Sequence, residues 1–281
     1  HSNALKATGR DIIKFGLGQS PFPVPDPVVS ALQRHAHEKD YLAVKGLRGL
    51  REAVAAFHAR RDGLTGRTGD DVLIGPGSKE LLFLLQLTYD GDLVIPSPAW
   101  VSYAPQAQII GREVHRIDTT RTDGWRLTPA ALEAHCQGKA DQPRILILNY
   151  PSNPTGMTLA ADRLKAIAEV ARAHKIVVVS DEIYGELHHS GDHVSLAHFY
   201  PEGTILSGGI SKWCGAGGWR LGTFLFPTHL DWLRDAMAAV ASETYTSVAA
   251  PIQHAAISAF LPNPQIDDYL ERSRRLLQSP G

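Results

Sequence analysis

Seven short runs rich in Val, Ile and Leu, bounded by Gly, Pro or Asp, are spaced along the chain between longer amphipathic stretches, and this alternation limits the fold more than any other feature. The runs occupy residues 72–74, 93–95, 113–117, 145–148, 176–180, 204–207 and 223–226. Helical spacing separates them, as at 79–89 and at 160–174, where Leu164, Ile167, Ala168 and Ala171 recur at intervals of three and four. Strand and helix in alternation predict an α/β protein, a three-layer α/β/α sandwich around a mostly parallel seven-stranded sheet. Such a sheet gathers ligands beyond the carboxyl ends of its strands, so the polar residues that close each strand are where chemistry is expected. The opening at 18–27 carries Pro21, Pro23, Pro25 and Pro27. It predicts an extended arm, because each proline would interrupt a helix or a strand ladder.

Composition removes several classes of function. The 281 residues, 43% apolar and 20% charged, suit a globular chain with one large core and a smaller lobe. Lys plus Arg (28) and Asp plus Glu (29) nearly cancel. No positive field is available to draw in nucleic acid or an anionic membrane. Cys136 and Cys214 are far apart and outside any metal-ligand spacing, which argues against a disulfide framework or a zinc ribbon and for a reduced, cytoplasmic setting. No apolar run approaches the roughly 18 residues of a membrane span, and the first residues lack a signal pattern. His188, His189 and His193 cluster in a polar loop and read as solvated side chains, with no metal expected.

Three segments carry residues with chemical potential. In ILSGGISKWCGAGGWRLG, a strand runs into a Gly-rich turn bearing Ser211, Lys212 and, eight residues on, Arg220. A lysine partly withdrawn from water has its ammonium form disfavoured, which supplies a free amine able to condense with an aldehyde or ketone. Arg220 offers paired donors for a phosphate. Taken alone, Lys212 also reads as a solvated loop lysine and Arg220 as a surface ion-pair partner. The strand IVVVS ends in Asp181, with Tyr184 three residues later. That carboxylate suits a protonated ring nitrogen and the phenol a ring oxygen, although an aspartate there equally caps a helix. NYPSNPTG is a rigid turn that projects Asn153 as a side-chain donor.

Together and in this order, NPTG, D-x-x-Y and S-K…G-W-R resemble the site segments of class I and II aminotransferases, enzymes of pyridoxal 5′-phosphate (PLP) fold type I. The resemblance extends to GLGQSPFPVP, which looks like the family's N-terminal arm, and to YLAVKGLRGLREAVAAF, IGPGSKELLF and PSPAWVSY. It implies that Lys212 binds PLP as an internal aldimine and moves the α-proton, that Asp181 keeps the ring nitrogen protonated, and that Asn153 and Tyr184 bind the ring oxygen. Lys212, Asp181 and Tyr184 are thus the implied catalytic residues. Gly77, Ser78, Lys79, Ser211 and Arg220 are the implied phosphate-side residues. Trp100 is the implied stacking ring, with Tyr103 as a second candidate, and Tyr41 reaches the phosphate of the neighbouring subunit of a homodimer. Gly18, Trp100 and Asn153 are implied to meet the substrate, an amino acid or its 2-oxo acid.

The same resemblance implies an arm and the start of a small domain at 1–45, a PLP-binding large domain at 46–260, and at 261–281 the start of a helix leading to a C-terminal small domain that is absent. The arginine that clamps the substrate α-carboxylate in the family has no counterpart among Arg234, Arg272, Arg274 or Arg275. Gly209 stands where many relatives have a phosphate-binding serine, for which Ser207 or Ser211 could compensate. The stretch 242–247 lacks the arginine of dicarboxylate-specific relatives, whereas Lys79 matches a lysine that reads a distal carboxylate in some aspartate-using ones. A lyase or decarboxylase, or a non-catalytic PLP-binding sensor, would use the same scaffold. A nucleotide-binding domain is disfavoured, because no G-x-G-x-x-G or G-x-x-x-x-G-K-[ST] loop follows a strand.

Overall fold

A computed structural model describes residues 2–13, 18–138 and 142–278. Gly16 and Leu17 of the predicted arm lie outside the described residues. All seven expected strands are present: β1 (Val72–Gly75), β2 (Asp92–Ser97), β3 (Val114–Asp118), β4 (Arg144–Asn149), β5 (Val177–Asp181), β6 (Thr204–Gly209) and β7 (Gly222–Leu225). They form one sheet in the order β1–β7–β6–β5–β4–β2–β3. Neighbours are parallel except at β7, which runs antiparallel to β1 and β6.

Ten α-helices accompany the sheet among the described residues: α1 (Ser2–Ala7), α2 (Asp26–His35), α3 (Arg48–Asp62), α4 (Ser78–Thr88), α5 (Tyr103–Ile109), α6 (Pro129–Cys136), α7 (Ala161–Ala173), α8 (Asp231–Thr244), α9 (Ala250–Phe260) and α10 (Pro264–Gln278). None is long and apolar enough to cross a membrane. Successive strand residues face opposite sides of the sheet. Leu73, Leu93, Ile95, Ile147, Val179, Ile205 and Phe224 therefore share a core with α4, α5 and α8. The alternate residues Val94, Leu146, Leu148 and Val178 pack with α6 and α7, and Val72, Ile74, Leu206 and Leu225 with α3 and α9. Each fully buried Leu, Ile or Phe contributes about 1.5–3 kcal/mol by leaving water. With both faces covered, the strands read as nearly continuous apolar runs, which is why they stand out in the sequence.

Two sequence expectations are corrected. Residues 18–25 do lack regular structure, but Pro27 does not interrupt a helix. It lies in the first turn of α2, where a missing N–H costs no intrahelical bond. His193 is not solvated: its side chain is only 8% exposed, and Nε2 lies 2.9 Å from Glu182 Oε2. Glu182 is itself buried and receives the guanidinium of Arg61 and the hydroxyls of Ser180 and Ser195. The loop carrying His193 is thereby tied to the end of β5 and to α3.

Candidate active site

The strand register brings the chemistry-bearing segments to one edge of the sheet. Gly75 and Gly209 both face Gly222, Asn149 faces Asp181, and Asp181 faces Ser207. Ser78 and Lys79 follow β1, Trp100 follows β2, Asn153 follows β4, Tyr184 follows β5, and Ser211 and Lys212 follow β6. Arg220 arrives at the same edge because antiparallel β7 begins there. Residues 142 positions apart in the chain, Ser78 and Arg220, are neighbours of one turn for this reason: the Arg220 guanidinium donates to the Pro76 carbonyl at 3.4 Å.

Asp181 is 3% exposed. Tyr103 Oη donates to its Oδ2 at 2.6 Å, and Ser207 Oγ to its Oδ1 at 3.4 Å. Burial pushes its carboxyl up to about 6, against the pull of the bonds from Tyr103, the Ile183 amide and Ser207. None of these hydrogen-bond partners is a cation. A buried carboxylate held by neutral donors alone is a receptor for a cationic or protonatable ligand group.

Lys212 is half-buried, and Nζ donates to the Gly18 carbonyl at 2.7 Å. The same amine lies 5.7 Å from the centre of the Tyr184 ring. Burial lowers its basicity, the charge of Arg220 lowers it further, and Asp181 partly restores it. Burial and Arg220 thus act in the direction that the expected free amine requires. Asn153 Nδ2 donates to Tyr184 Oη at 3.4 Å. Asn149 orders this pair: its Oδ1 accepts the Asn153 amide at 2.8 Å, and its Nδ2 donates to the Asp181 carbonyl at 2.8 Å.

Across the site, α4 begins at Ser78 without a side-chain cap, so no side chain pairs its first amides. The Arg220 guanidinium lies against Gly77, where a Cβ would come within 2.2 Å of Nη2. Gly77 also has φ 92°, a conformation that side-chain-bearing residues rarely adopt. A helix N-terminus beside a guanidinium is an anion receptor. Trp100 is half-buried, with Lys79 Nζ 5.0 Å from its ring centre and the Tyr103 ring meeting it edge to face at 5.2 Å. Tyr103 cannot be the stacking ring, since it is 2% exposed and its hydroxyl is committed to Asp181. Tyr41 stands 91% exposed.

Sequence reasoning passed over Asn149 and the Tyr103 hydroxyl. Asn149 carried a usable signal, a polar residue closing an apolar strand; Tyr103 gave none beyond its aromatic ring. Ser207 does not replace the serine expected at 209, because it is 1% exposed and faces Asp181. Gly209 has φ 146°, and a Cβ there would lie 2.6 Å from the Leu221 carbonyl. Gly209→Ser is thus expected to lower stability by about 1–3 kcal/mol rather than improve the anion receptor. Urea unfolding and phosphate titration of the variant check both parts.

Comparison with known proteins bears on this geometry. The profile of the family Aminotransferase class I and II matches residues 10–280, and the chain belongs to that family. It is 35% identical over 265 residues to an aspartate aminotransferase of Geobacillus stearothermophilus, covering 91% of this chain and 66% of that protein. It is 31% identical to an aspartate/prephenate aminotransferase of Thermus thermophilus, covering 96% and 70%. The solved structure of Thermus thermophilus aspartate aminotransferase with maleate superposes with a TM-score of 0.90 at 30% identity, covering 98% of this chain and 71% of that one. The chain thus spans about two thirds of the length of the relatives it matches.

Proposed function

We propose that the chain binds PLP and acts as an aminotransferase, exchanging an amino group between an L-amino acid and a 2-oxo acid in a cytoplasmic homodimer. The carrying observation is Asp181, a buried carboxylate with no cationic hydrogen-bond partner, in a site that also holds a helix N-terminus without a side-chain cap beside Arg220. Lys212 feels the charge of both Arg220 and Asp181. A ligand with a phosphate at one end and a protonatable ring nitrogen at the other fits this pair of receptors.

In this reading the amides of Ser78 and Lys79, with Gly77, Ser211 and Arg220, hold the phosphate. Asp181 holds the ring nitrogen, Asn153 and Tyr184 the ring oxygen, and Trp100 the ring face. When bound, PLP supplies an electron sink for the negative charge left at the substrate Cα. Lys212 Nζ is the attachment point, and once released by the amino donor it takes the proton from Cα. Gly18 and Asn153 line the substrate side. Tyr41, exposed here, reaches the phosphate of the partner subunit.

Lys79 is exposed above Trp100, which suits a second carboxylate on the substrate, and several relatives are named aspartate aminotransferases. L-Aspartate is accordingly the first donor to test. Residues 46–260 form the cofactor-binding part, with 1–45 as arm and small-domain start and 261–281 as the helix leading on. PLP-loaded protein should show a near-visible band that L-aspartate converts to the pyridoxamine form, with oxaloacetate as product. A band that no L-amino acid changes would contradict transamination.

A further inference from the structure

We propose that Tyr103 is a positioning residue that holds the Asp181 carboxylate and the Trp100 ring in one arrangement, so that the acid meets the ring nitrogen of the cofactor while the indole meets its face. The inference rests on the PLP reading above. Tyr103 opens α5 and reaches across 78 residues of sequence to give Asp181 its one short side-chain hydrogen bond among the described residues, 2.6 Å to Oδ2. Its ring meets Trp100 edge to face with the planes at 80°. Lys79 stands near the same indole, 5.0 Å from its centre. One buried side chain therefore touches both the acid and the ring that the cofactor needs in register.

The other groups around Asp181 do not duplicate this contact. Ser207, from β6, is at 3.4 Å. Asn149, from β4, spends its amide on the Asp181 backbone carbonyl. Glu182 is occupied by Arg61, His193, Ser180 and Ser195. Tyr184 and Lys212 face Asp181 without a hydrogen bond to its carboxylate, and the Ile183 amide comes from its own segment. Burial and the adjacent Asp181 carboxylate hold the Tyr103 phenol well above its ordinary range, so it remains a donor at any working pH.

A donor on Oδ2 stabilises the ionised acid over the neutral one. Opposite a ring nitrogen, that bias keeps the proton on the ring, which the electron sink requires. Tyr103→Phe keeps the ring, its burial and its edge contact with Trp100, and removes only the donor. The variant should fold like the wild type, shift the Asp181 carboxyl titration of the apoprotein upward by about one pH unit, and slow the half-reaction with L-aspartate by about tenfold or more.

Infrared titration of the Asp181 carboxyl in apoprotein, using Asp181→Asn to assign the band, reads the first effect. The near-visible spectrum of PLP-loaded protein across pH, with stopped-flow L-aspartate kinetics, reads the second. Displaced titration together with slowed conversion supports the role. A Tyr103→Phe protein that superimposes on the wild type in both measurements overturns it, while leaving the PLP reading intact. A wild type that forms no Lys212-dependent band overturns the PLP reading and, with it, the role of Tyr103 towards a cofactor.

Discussion

Lys212→Ala is expected to leave the fold in place and to lower transamination by about 10³- to 10⁴-fold or more. Only one hydrogen bond, to the Gly18 carbonyl, is lost from the folded protein. That costs about 0.5–1.5 kcal/mol, within the tolerance of a large domain. The catalytic loss is larger because the same amine serves twice. In the proposed function it is the point of covalent attachment and, after release, the base at Cα, and a positioned proton-transfer group alone contributes about 10²- to 10⁴-fold. Single-turnover kinetics with L-aspartate measure the loss directly. A small primary amine added to the solution should restore part of the rate, since what is missing is an amine and not a scaffold. A Lys212→Ala protein with near-wild-type turnover would remove the lysine from the mechanism.

Asp181→Asn is expected to move activity and stability in opposite directions. The ring nitrogen loses its anionic partner, so the half-reaction should slow by about 10²- to 10³-fold. The apoprotein should become more stable, for a reason fixed by the sign of the titration. The Asp181 carboxyl is raised from about 4 to about 6 by burial, so between those values the folded protein holds a proton that the unfolded chain has released. Its contribution to stability is therefore fully present below about pH 4 and is lost as pH rises through about 6. The charged acid then costs about 3 kcal/mol at neutral pH. Asparagine avoids that cost. Urea unfolding should show the variant ahead of the wild type at pH 7.5, with the two converging towards pH 4. Binding of PLP should reverse the order at pH 7.5, because the ring nitrogen compensates the buried charge only when Asp181 is present. A variant that is no more stable than the wild type at pH 7.5 would mean that the buried carboxylate is already compensated.

The sheet was legible because it is buried on both faces, which leaves little room for anything but Val, Ile and Leu in runs such as 145–148 and 176–180. Helix α2 was not, since a proline-dense segment signals extended chain, and only the placement of Pro27 in a first turn reconciles it with a helix. The anchors of the site were legible as motifs, but their supports were not. Trp100, in the turn after β2, and Tyr103, the first residue of α5, are both aromatic and three residues apart; only the fold shows that Tyr103 is buried against Asp181 while Trp100 stays half-buried beside it. His193 read as solvated because its partner, Glu182, lies eleven residues away on a buried strand end. Gly209 looked like a lost serine, whereas the approach of the Leu221 carbonyl leaves no room for a side chain.

The most direct test of the central claim, that Lys212 carries PLP, is borohydride reduction of protein loaded with PLP, followed by proteolysis and mass mapping of the peptides. The expected result is a single pyridoxyl-modified peptide containing Lys212, absent from Lys212→Ala and abolished when L-aspartate is added before reduction. Modification spread over surface lysines, or centred on Lys79 with Lys212 untouched, would contradict it.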